Sequence, residues 1–227
     1  MIVANHAMMF ADLILKEQGV GILPAYDRVI ADEAHNLESV AEDQFGINIT
    51  NYTITYLLRK LYNKRTRKGV LAFRKADEAI ELVGKCQEAA DVFFAQVQAW
   101  YANADRELIG KCHPHFVSDN ITGPLRSLRL ALSQLAQEDQ ESDDRCEITR
   151  YVDKCRSLEV ELNRFLEQDD DDQVYWVEVS KGRRKRTALR SAPIDVGPYV
   201  KQCLFDTFDS VITTSATLRC ERKGGKV

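Results

Sequence analysis

The sequence has six cysteines but no Cys-x-x-Cys pair, and the closest two, Cys146 and Cys155, are nine residues apart. Structural zinc sites and iron–sulfur clusters draw their thiolate ligands from tighter groups. This spacing argues against a metal bound by these cysteines. It favours unpaired thiols, as expected in a reducing cytoplasm.

An excess of positive charge and a long apolar run are also missing. The formal net charge is −4, with 31 Lys and Arg against 35 Asp and Glu, so a nucleic-acid surface must be a local patch. No apolar segment approaches the roughly 20 residues of a membrane span. Because the first residues lack a basic n-region, we expect no signal peptide, a cytoplasmic location and no membrane partner.

The sequence does contain one acidic motif, which directly follows a short apolar run. Residues 29–31 predict a short strand buried on both faces, as in a parallel sheet. Asp32 and Glu33 follow it, and His35 comes two residues later. Ligands of open α/β sheets bind at the carboxyl ends of strands, and buried carboxylates need a cation or a reacting group nearby. The motif indicates a magnesium–nucleotide site, and its alternative is a solvated turn.

The two ends of the chain have the pattern of an α/β domain. Residues 1–4 predict a strand and His6–Lys16 a helix, which with residues 29–31 make a β-α-β unit of a parallel sheet. A strand at residue 1 leads us to expect that the chain begins within a domain. Residues 210–214 predict another buried parallel strand, which ends at Ser215, Ala216 and Thr217.

The middle of the chain predicts a helical insertion. Apolar residues at helical spacing indicate four amphipathic helices, at 51–66, at 75–103, from Pro124 onwards and at 146–167. A β-hairpin follows, with strands at 174–179 and 187–190. We therefore expect one domain made of residues 1–45 and 192–227, and a mainly α-helical insertion with a C-terminal hairpin at 46–191.

Two basic clusters contrast with the acidic total. The first follows the first insertion helix and comprises Arg59, Lys60, Lys64, Arg65, Arg67 and Lys68. The second crowds the hairpin turn and comprises Lys181, Arg183, Arg184, Lys185 and Arg186. Either cluster would bind phosphates in a salt-dependent manner, and a solvated face is the alternative. Tyrosines at 52, 56 and 62 offer stacking faces for bases, but their spacing favours core packing.

Three segments together resemble one family. Asp32-Glu33-Ala34-His35 after an apolar strand resembles the DEAH box, the Walker B motif of superfamily 2 helicases. Asn5-His6 followed by Asp12-Leu13 resembles the segment before this box in the DinG/XPD family, and residues 214–218 resemble its motif III. Since order and strand context agree, the chain is similar to an internal segment of a bacterial DinG-like iron–sulfur DNA helicase.

The resemblance implies a partial RecA-like P-loop motor domain with an Arch insertion. Asp32 would hold Mg²⁺ through water, and Glu33 would orient the attacking water and accept its proton. His35 would face motif III, where Ser215, Ala216 and Thr217 couple hydrolysis to DNA movement. DNA contacts would come from the hairpin cluster and from Asn5 and His6, for which the alternative is helix capping.

The same resemblance implies a longer parent that uses ATP to unwind single-stranded or forked DNA, as in DNA repair. The phosphate-binding loop G-x-x-x-x-G-K-[ST] occurs nowhere in the sequence. In the family this loop and the four cysteines of a 4Fe–4S cluster lie upstream, and a second motor domain lies downstream. We therefore expect this chain alone to be inactive. The alternative is a non-catalytic helical module that binds single-stranded DNA or a partner protein.

Overall fold

The computed structural model describes residues 1–17, 21–74, 76–104, 110–138, 142–182 and 185–217. The chain forms two compact units. The first, here called the sheet unit, combines Met1–Gly46 with the segment that starts at Ala192, and the second, the helical unit, spans Ile47–Ser191. The predicted mixed α/β class with a small parallel sheet is confirmed.

Helices contribute most of the regular structure. They are α1 (His6–Glu17), α2 (Leu37–Phe45), α3 (Asn51–Leu61), α4 (Asp77–Asn103), α5 (Thr122–Glu138), α6 (Ser142–Glu167) and α7 (Gly197–Val200). The strands are β1 (Arg28–Ala31), β2 (Asn48–Thr50), β3 (Gln173–Val179), β4 (Thr187–Pro193) and β5 (Ser210–Thr213). A single 3₁₀ turn, Ala34–Asn36, precedes α2, and a π turn, Lys201–Phe205, continues α7. The four helices predicted in the middle of the chain are confirmed as α3 to α6, although α3 ends at Leu61 and not at residue 66 as predicted.

The sheet unit is built on β1 and β5, which pair in parallel so that Arg28 faces Ser210 and Ala31 faces Thr213. One face of this pair packs against α1, α2 and α7, where Phe10 and Leu204 are fully buried. Because Val29 and Ala31 point into this core, β1 is buried on one face.

The prediction that β1 is buried on both faces is wrong. Ile30 is 71% exposed, and Ile212, its direct partner on β5, is 52% exposed. Side chains alternate between the two faces of a strand, and no element of the described sheet unit covers the second face. The apolar residues of β1 show that the strand could be buried, but whether a face is buried depends on the elements that pack against it.

Residues 1–4 do not form the predicted strand, so the β-α-β unit is also wrong. These residues are exposed, with Val3 at 86%, and they pair with neither β1 nor β5. An apolar run becomes a strand only where a neighbouring strand accepts its backbone hydrogen bonds. Instead the segment ends at Asn5, whose Oδ1 accepts a hydrogen bond from the Met8 N–H at 2.8 Å and caps α1.

The helical unit packs α3 to α6 against a three-stranded sheet of order β2-β4-β3. β2, which was not predicted, pairs antiparallel with β4 through Ile49 and Leu189, and both side chains are fully buried. Thr50 then caps α3, because its Oγ1 accepts a hydrogen bond from the Thr53 N–H at 3.0 Å. No helix in the described ranges is long and apolar enough to cross a membrane.

The first insertion helix, α3, presents its tyrosines differently from the prediction of core packing. Its leucines and Ile54 face the core, whereas Tyr52 is 46% and Tyr56 is 63% exposed. Tyr62, directly after the helix, is partly buried against the core. The inward face is taken by the more apolar residues one turn apart, which leaves the first two tyrosines outward.

Candidate functional site

The carboxyl ends of β1 and β5 are tied together by hydrogen bonds. The Thr214 N–H donates to the Ala31 carbonyl oxygen at 2.9 Å, and the Ala34 N–H donates to the Thr214 carbonyl oxygen at 2.9 Å. The Thr214 hydroxyl also donates to Asp32 Oδ1 at 2.6 Å. The acidic motif and the segment after β5 therefore form one local structure.

Asp32 is an exposed carboxylate whose charged form is stabilised. The hydrogen bond from Thr214 is the main cause that lowers the pKa of Asp32, and the Glu33 N–H and the nearby His6 act in the same direction. Both hydrogen bonds that Asp32 accepts within the described residues go to Oδ1, so Oδ2 accepts none there.

This geometry fits a magnesium ion bound through water. Mg²⁺ keeps several waters and needs one or two carboxylates together with substrate phosphates. The described ranges contain no group of three or more His, Cys, Asp or Glu able to form a direct metal cage. A single held carboxylate with one unoccupied oxygen suits the water-mediated mode better than direct coordination.

Glu33 has a backbone conformation that is uncommon for its residue type. Its φ of 50° and ψ of 47° lie in the left-handed region. This conformation costs a non-glycine residue roughly 1 kcal/mol or more and is often found at functional sites. It reverses the chain after β1, and the Asn36 N–H then donates to the Glu33 carbonyl oxygen at 2.9 Å. The turn brings His35 back beside Glu33.

His35 contacts both the acidic motif and the segment after β5 through one ring nitrogen. Its Nδ1 lies 2.9 Å from Ser215 Oγ and 3.2 Å from Glu33 Oε2. A Ser–His–acid triad needs the serine and the acid on opposite ring nitrogens, so this arrangement does not activate Ser215 as a nucleophile. It instead links a carboxylate to a hydroxyl across the two strand ends.

The remaining residues of the second segment complete this link. Ser215 Oγ lies 3.4 Å from Thr217 Oγ1 and accepts a hydrogen bond from the Thr217 N–H at 3.4 Å. Ala216 is exposed between them. The structure thus brings Asp32, Glu33, His35, Ser215 and Thr217 together, while their catalytic and coupling roles stay predictions.

Residues predicted to bind nucleic acid fall in two places. Asn5 caps α1, which supports its structural alternative, and His6 lies close enough to Asp32 to act on its pKa. In the hairpin, Lys181, Lys185 and Arg186 are exposed. Arg183 and Arg184 lie outside the described residues, as does Leu218 of the family motif.

Sequence reasoning placed Thr214 in the segment that resembles motif III but gave it no role, although its hydroxyl makes the shortest hydrogen bond to Asp32. The available signal was strand register. Because Ala31 pairs with Thr213 in a parallel sheet, the next residue of each strand emerges at the same edge.

Asp12, which the sequence analysis named only as part of the segment that resembles the family before the DEAH box, has a fully buried side chain in α1. It accepts hydrogen bonds from the Ile22 and Leu23 N–H groups at 2.7 Å and from the Tyr26 hydroxyl at 2.8 Å, and it pairs with Lys16 at 2.9 Å. Burial alone would raise the pKa of Asp12, but these contacts outweigh it and lower the pKa to about 2. Asp12 thereby fixes the segment that leads into β1.

Comparison with known proteins gives a weak similarity that extends over nearly the whole of this chain. No protein-family model matches the chain. It is 25% identical over 227 residues to the ATP-dependent DNA helicase YoaA of Escherichia coli strain K12, covering 96% of this chain and 32% of that protein. It is 24% identical over 247 residues to the YoaA helicase of Haemophilus influenzae, covering 99% of this chain and 35% of that protein.

The chain therefore spans about a third of the length of the curated relatives it matches. The similarity supports a relationship between this chain and the ATP-dependent DNA helicases.

Proposed function

We propose that the chain is a segment of a DinG-like, ATP-dependent DNA helicase, in which Asp32 and Glu33 serve the hydrolysis of magnesium-bound ATP. The observation that carries this proposal is the 2.6 Å hydrogen bond from the Thr214 hydroxyl to Asp32 across 182 residues of sequence. It joins the two segments that resemble the DEAH box and motif III. The similarity of nearly the whole chain to a third of two ATP-dependent DNA helicases supports the same proposal.

The sheet unit is then part of a RecA-like motor domain, and the helical unit is its Arch insertion. The acidic motif lies at the carboxyl end of a parallel strand, where ligands of α/β sheets bind. Ile30 and Ile212 leave an apolar face of this sheet exposed, although parallel sheets are ordinarily covered on both faces. Further parts of a motor domain, supplied by a longer protein, would cover it.

At the site, each residue has a distinct task. A magnesium ion bound here would supply positive charge that neutralises the phosphates of ATP. Asp32, kept ionised by Thr214, would hold the hydrated ion through Oδ2. Glu33 would orient the attacking water and accept its proton, which its exposed carboxylate can do once it leaves His35. His35, through its contact with Ser215, would couple ATP hydrolysis at the site to a movement of the segment after β5.

DNA and an iron–sulfur cluster complete the proposal for the longer protein. Single-stranded or forked DNA would contact Asn5, His6 and the hairpin cluster. The described cysteines do not fit a cluster, because four of the five are buried and burial raises the pKa of the Cys86 and Cys155 thiols to about 12. The ligands of a 4Fe–4S cluster would lie outside this chain.

The reading frame on both sides of the coding sequence tests this proposal. A phosphate-binding loop and clustered cysteines upstream of residue 1 are the expected result. A frame with neither would contradict it and favour a non-catalytic helical module. With the purified chain we expect no ATP hydrolysis, and DNA-stimulated turnover that disappears in Glu33→Gln would overturn the inactivity of the isolated segment.

A further inference from the structure

We propose that a groove on the helical unit binds single-stranded DNA through phosphate contacts and base stacking. The choice of DNA as the ligand rests on the proposed function, whereas the groove itself involves none of the residues at the acidic site. It is an open groove of about 980 Å³ between α3, α4 and the turn that follows α3. Leu58, Val83 and Gly84 are among the residues that line it, and Lys185 reaches it from the hairpin.

The groove has an excess of positive charge in an acidic chain. Arg59, Lys64, Arg65 and Lys185 line it, and none of them forms an ion pair with any carboxylate that the structure describes. Two carboxylates, those of residues 88 and 91, also lie on the α4 side. Four cations without carboxylate partners against two carboxylates leave a local field suited to a polyanion.

One of these cations is set into the wall of the groove by a glycine. A side chain at Gly84 would place its Cβ only 2.7 Å from Lys64 Nζ, so the ammonium lies directly against the α4 backbone. A glycine inside a helix costs about 1 kcal/mol relative to alanine. The Lys64 ammonium occupies the space that Gly84 leaves open beside the groove.

Aromatic side chains along the same wall favour a nucleic acid over an acidic peptide. Tyr52 and Tyr62 line the groove with Arg59 between them. Tyr52 lies in the first turn of α3 and Tyr62 directly follows its last residue, so about 15 Å of helix axis separates their backbones, a spacing that suits contacts with different nucleotides. Every base has a face that stacks on an aromatic ring, and interleaved cations bind the phosphates. A carboxylate-rich peptide would use the cations but gain little from the rings.

Asn51 joins the two basic clusters at this groove. Its Nδ2 donates to the Lys185 carbonyl oxygen at 3.1 Å, and its Oδ1 accepts from the Thr187 N–H at 3.2 Å. These bonds attach the end of the hairpin turn to the first turn of α3. Lys64 and Lys185, which are more than 100 residues apart in sequence, therefore line one groove and can contact the same ligand.

The binding of fluorescein-labelled oligothymidylate to the whole chain, followed by fluorescence anisotropy at several salt concentrations, tests the proposal. Lys64→Gln combined with Arg65→Gln should weaken binding by about tenfold and reduce the salt slope by about 1.4, which is 0.7 for each lost phosphate contact. The matched control is Arg150→Gln with Arg156→Gln, which removes two exposed cations from α6 and should change the affinity less than about threefold.

Substitutions at Tyr52 separate stacking from charge. Tyr52→Ala should weaken binding by about tenfold, whereas Tyr52→Phe keeps the ring and should bind like the native chain. No binding by the native chain, or equal affinities for the groove and control variants, would overturn the proposal.

Two further measurements distinguish other outcomes. If poly-glutamate displaces the oligonucleotide as effectively, charge for charge, as unlabelled oligothymidylate does, the groove is a site for acidic polymers and the proposal is wrong. Glu33→Gln should leave oligonucleotide binding unchanged. If the proposed ATP hydrolysis is disproved, the proposal of DNA binding in the groove still stands. If groove binding is disproved, the proposal for the hydrolysis site still stands.

Discussion

His35 Nδ1 lies 2.9 Å from Ser215 Oγ, although 180 residues separate the two in sequence. The same nitrogen is 3.2 Å from Glu33 Oε2. One imidazole nitrogen therefore faces both the carboxylate proposed to activate water and the hydroxyl of the segment proposed to respond to hydrolysis. A change at either partner alters the contact with the other.

A double-mutant cycle on His35→Ala and Ser215→Ala measures this contact. Because the hydrogen bond is partly exposed, we expect a coupling energy of about 0.5–1 kcal/mol in the free energy of unfolding of the sheet unit. Since Trp100 and Trp176 both lie in the helical unit, hydrogen exchange of α1 and β1 is the measurement. The pair His35→Ala and Thr207→Ala is the control and should show no coupling.

Thr214→Val removes the hydroxyl that donates to Asp32 Oδ1 but keeps the shape of the side chain. Because this hydrogen bond is the main cause of the lowered pKa of Asp32, the pKa should rise in the variant. A ¹³C carboxyl titration followed by NMR measures it. Thr207→Val, whose hydroxyl contacts the Gln202 carbonyl oxygen elsewhere, should leave the pKa of Asp32 where it is. An equal pKa in the native chain and Thr214→Val would mean that this hydrogen bond does not form in solution.

Asp12→Asn should destabilise the sheet unit by about 2 kcal/mol at pH 7. The native fold lowers the pKa of Asp12 from 3.8 to about 2, and each pKa unit corresponds to about 1.4 kcal/mol. Because the folded pKa lies below the unfolded one, this stabilisation is complete above about pH 4 and is lost as the pH falls toward 2. Native and variant should therefore converge in acid.

Urea unfolding at pH 7 and at pH 2.5, followed by hydrogen exchange of α1, checks the effect of Asp12→Asn. Asp27→Asn, which removes an exposed carboxylate directly before β1, is the control and should change stability by less than about 0.5 kcal/mol. A loss of stability in Asp12→Asn that is equally large at both pH values would contradict the assigned pKa.

Phe165→Ala tests the core of the helical unit. Phe165 is fully buried in α6 and makes edge contacts with Phe116 and Tyr175, at ring distances of 6.1 and 5.7 Å. Its truncation should cost about 3–5 kcal/mol, measured by urea unfolding with tryptophan fluorescence. Val160→Ala, on the same helix but 51% exposed, should cost less than about 1 kcal/mol.

The helices could be predicted from sequence because their apolar residues repeat with the helical period over several turns. The strands were harder, since a run of three or four apolar residues carries no period. Residues 1–4 have the composition of a strand but no partner, and β2 has only three residues directly before a helix. Pairing with the distant β4 decides that β2 is a strand, because the short alternating segment Ile47-Asn48-Ile49-Thr50 is too brief to indicate one by itself.

The residues of the site could be predicted from the sequence, but their geometry could be predicted only in part. The acidic motif and the segment 215–217 were identified from residue types and order, and the parallel register brings them together. The left-handed backbone of Glu33 was not predictable, because a residue of this type rarely adopts it. The outward tyrosines of α3 were misjudged because their spacing fits either face, and competition with more apolar residues decides which face is buried.

The central claim is that Glu33 activates water for ATP hydrolysis in the protein to which this segment belongs. DNA-stimulated ATP hydrolysis by the full-length protein, measured for the native sequence, Glu33→Gln and the control Glu38→Gln on α2, tests it most directly. We predict that Glu33→Gln lowers turnover by about 100-fold or more and that Glu38→Gln, an exposed carboxylate nearby, stays within about twofold. Equal turnover in the two variants would contradict the account.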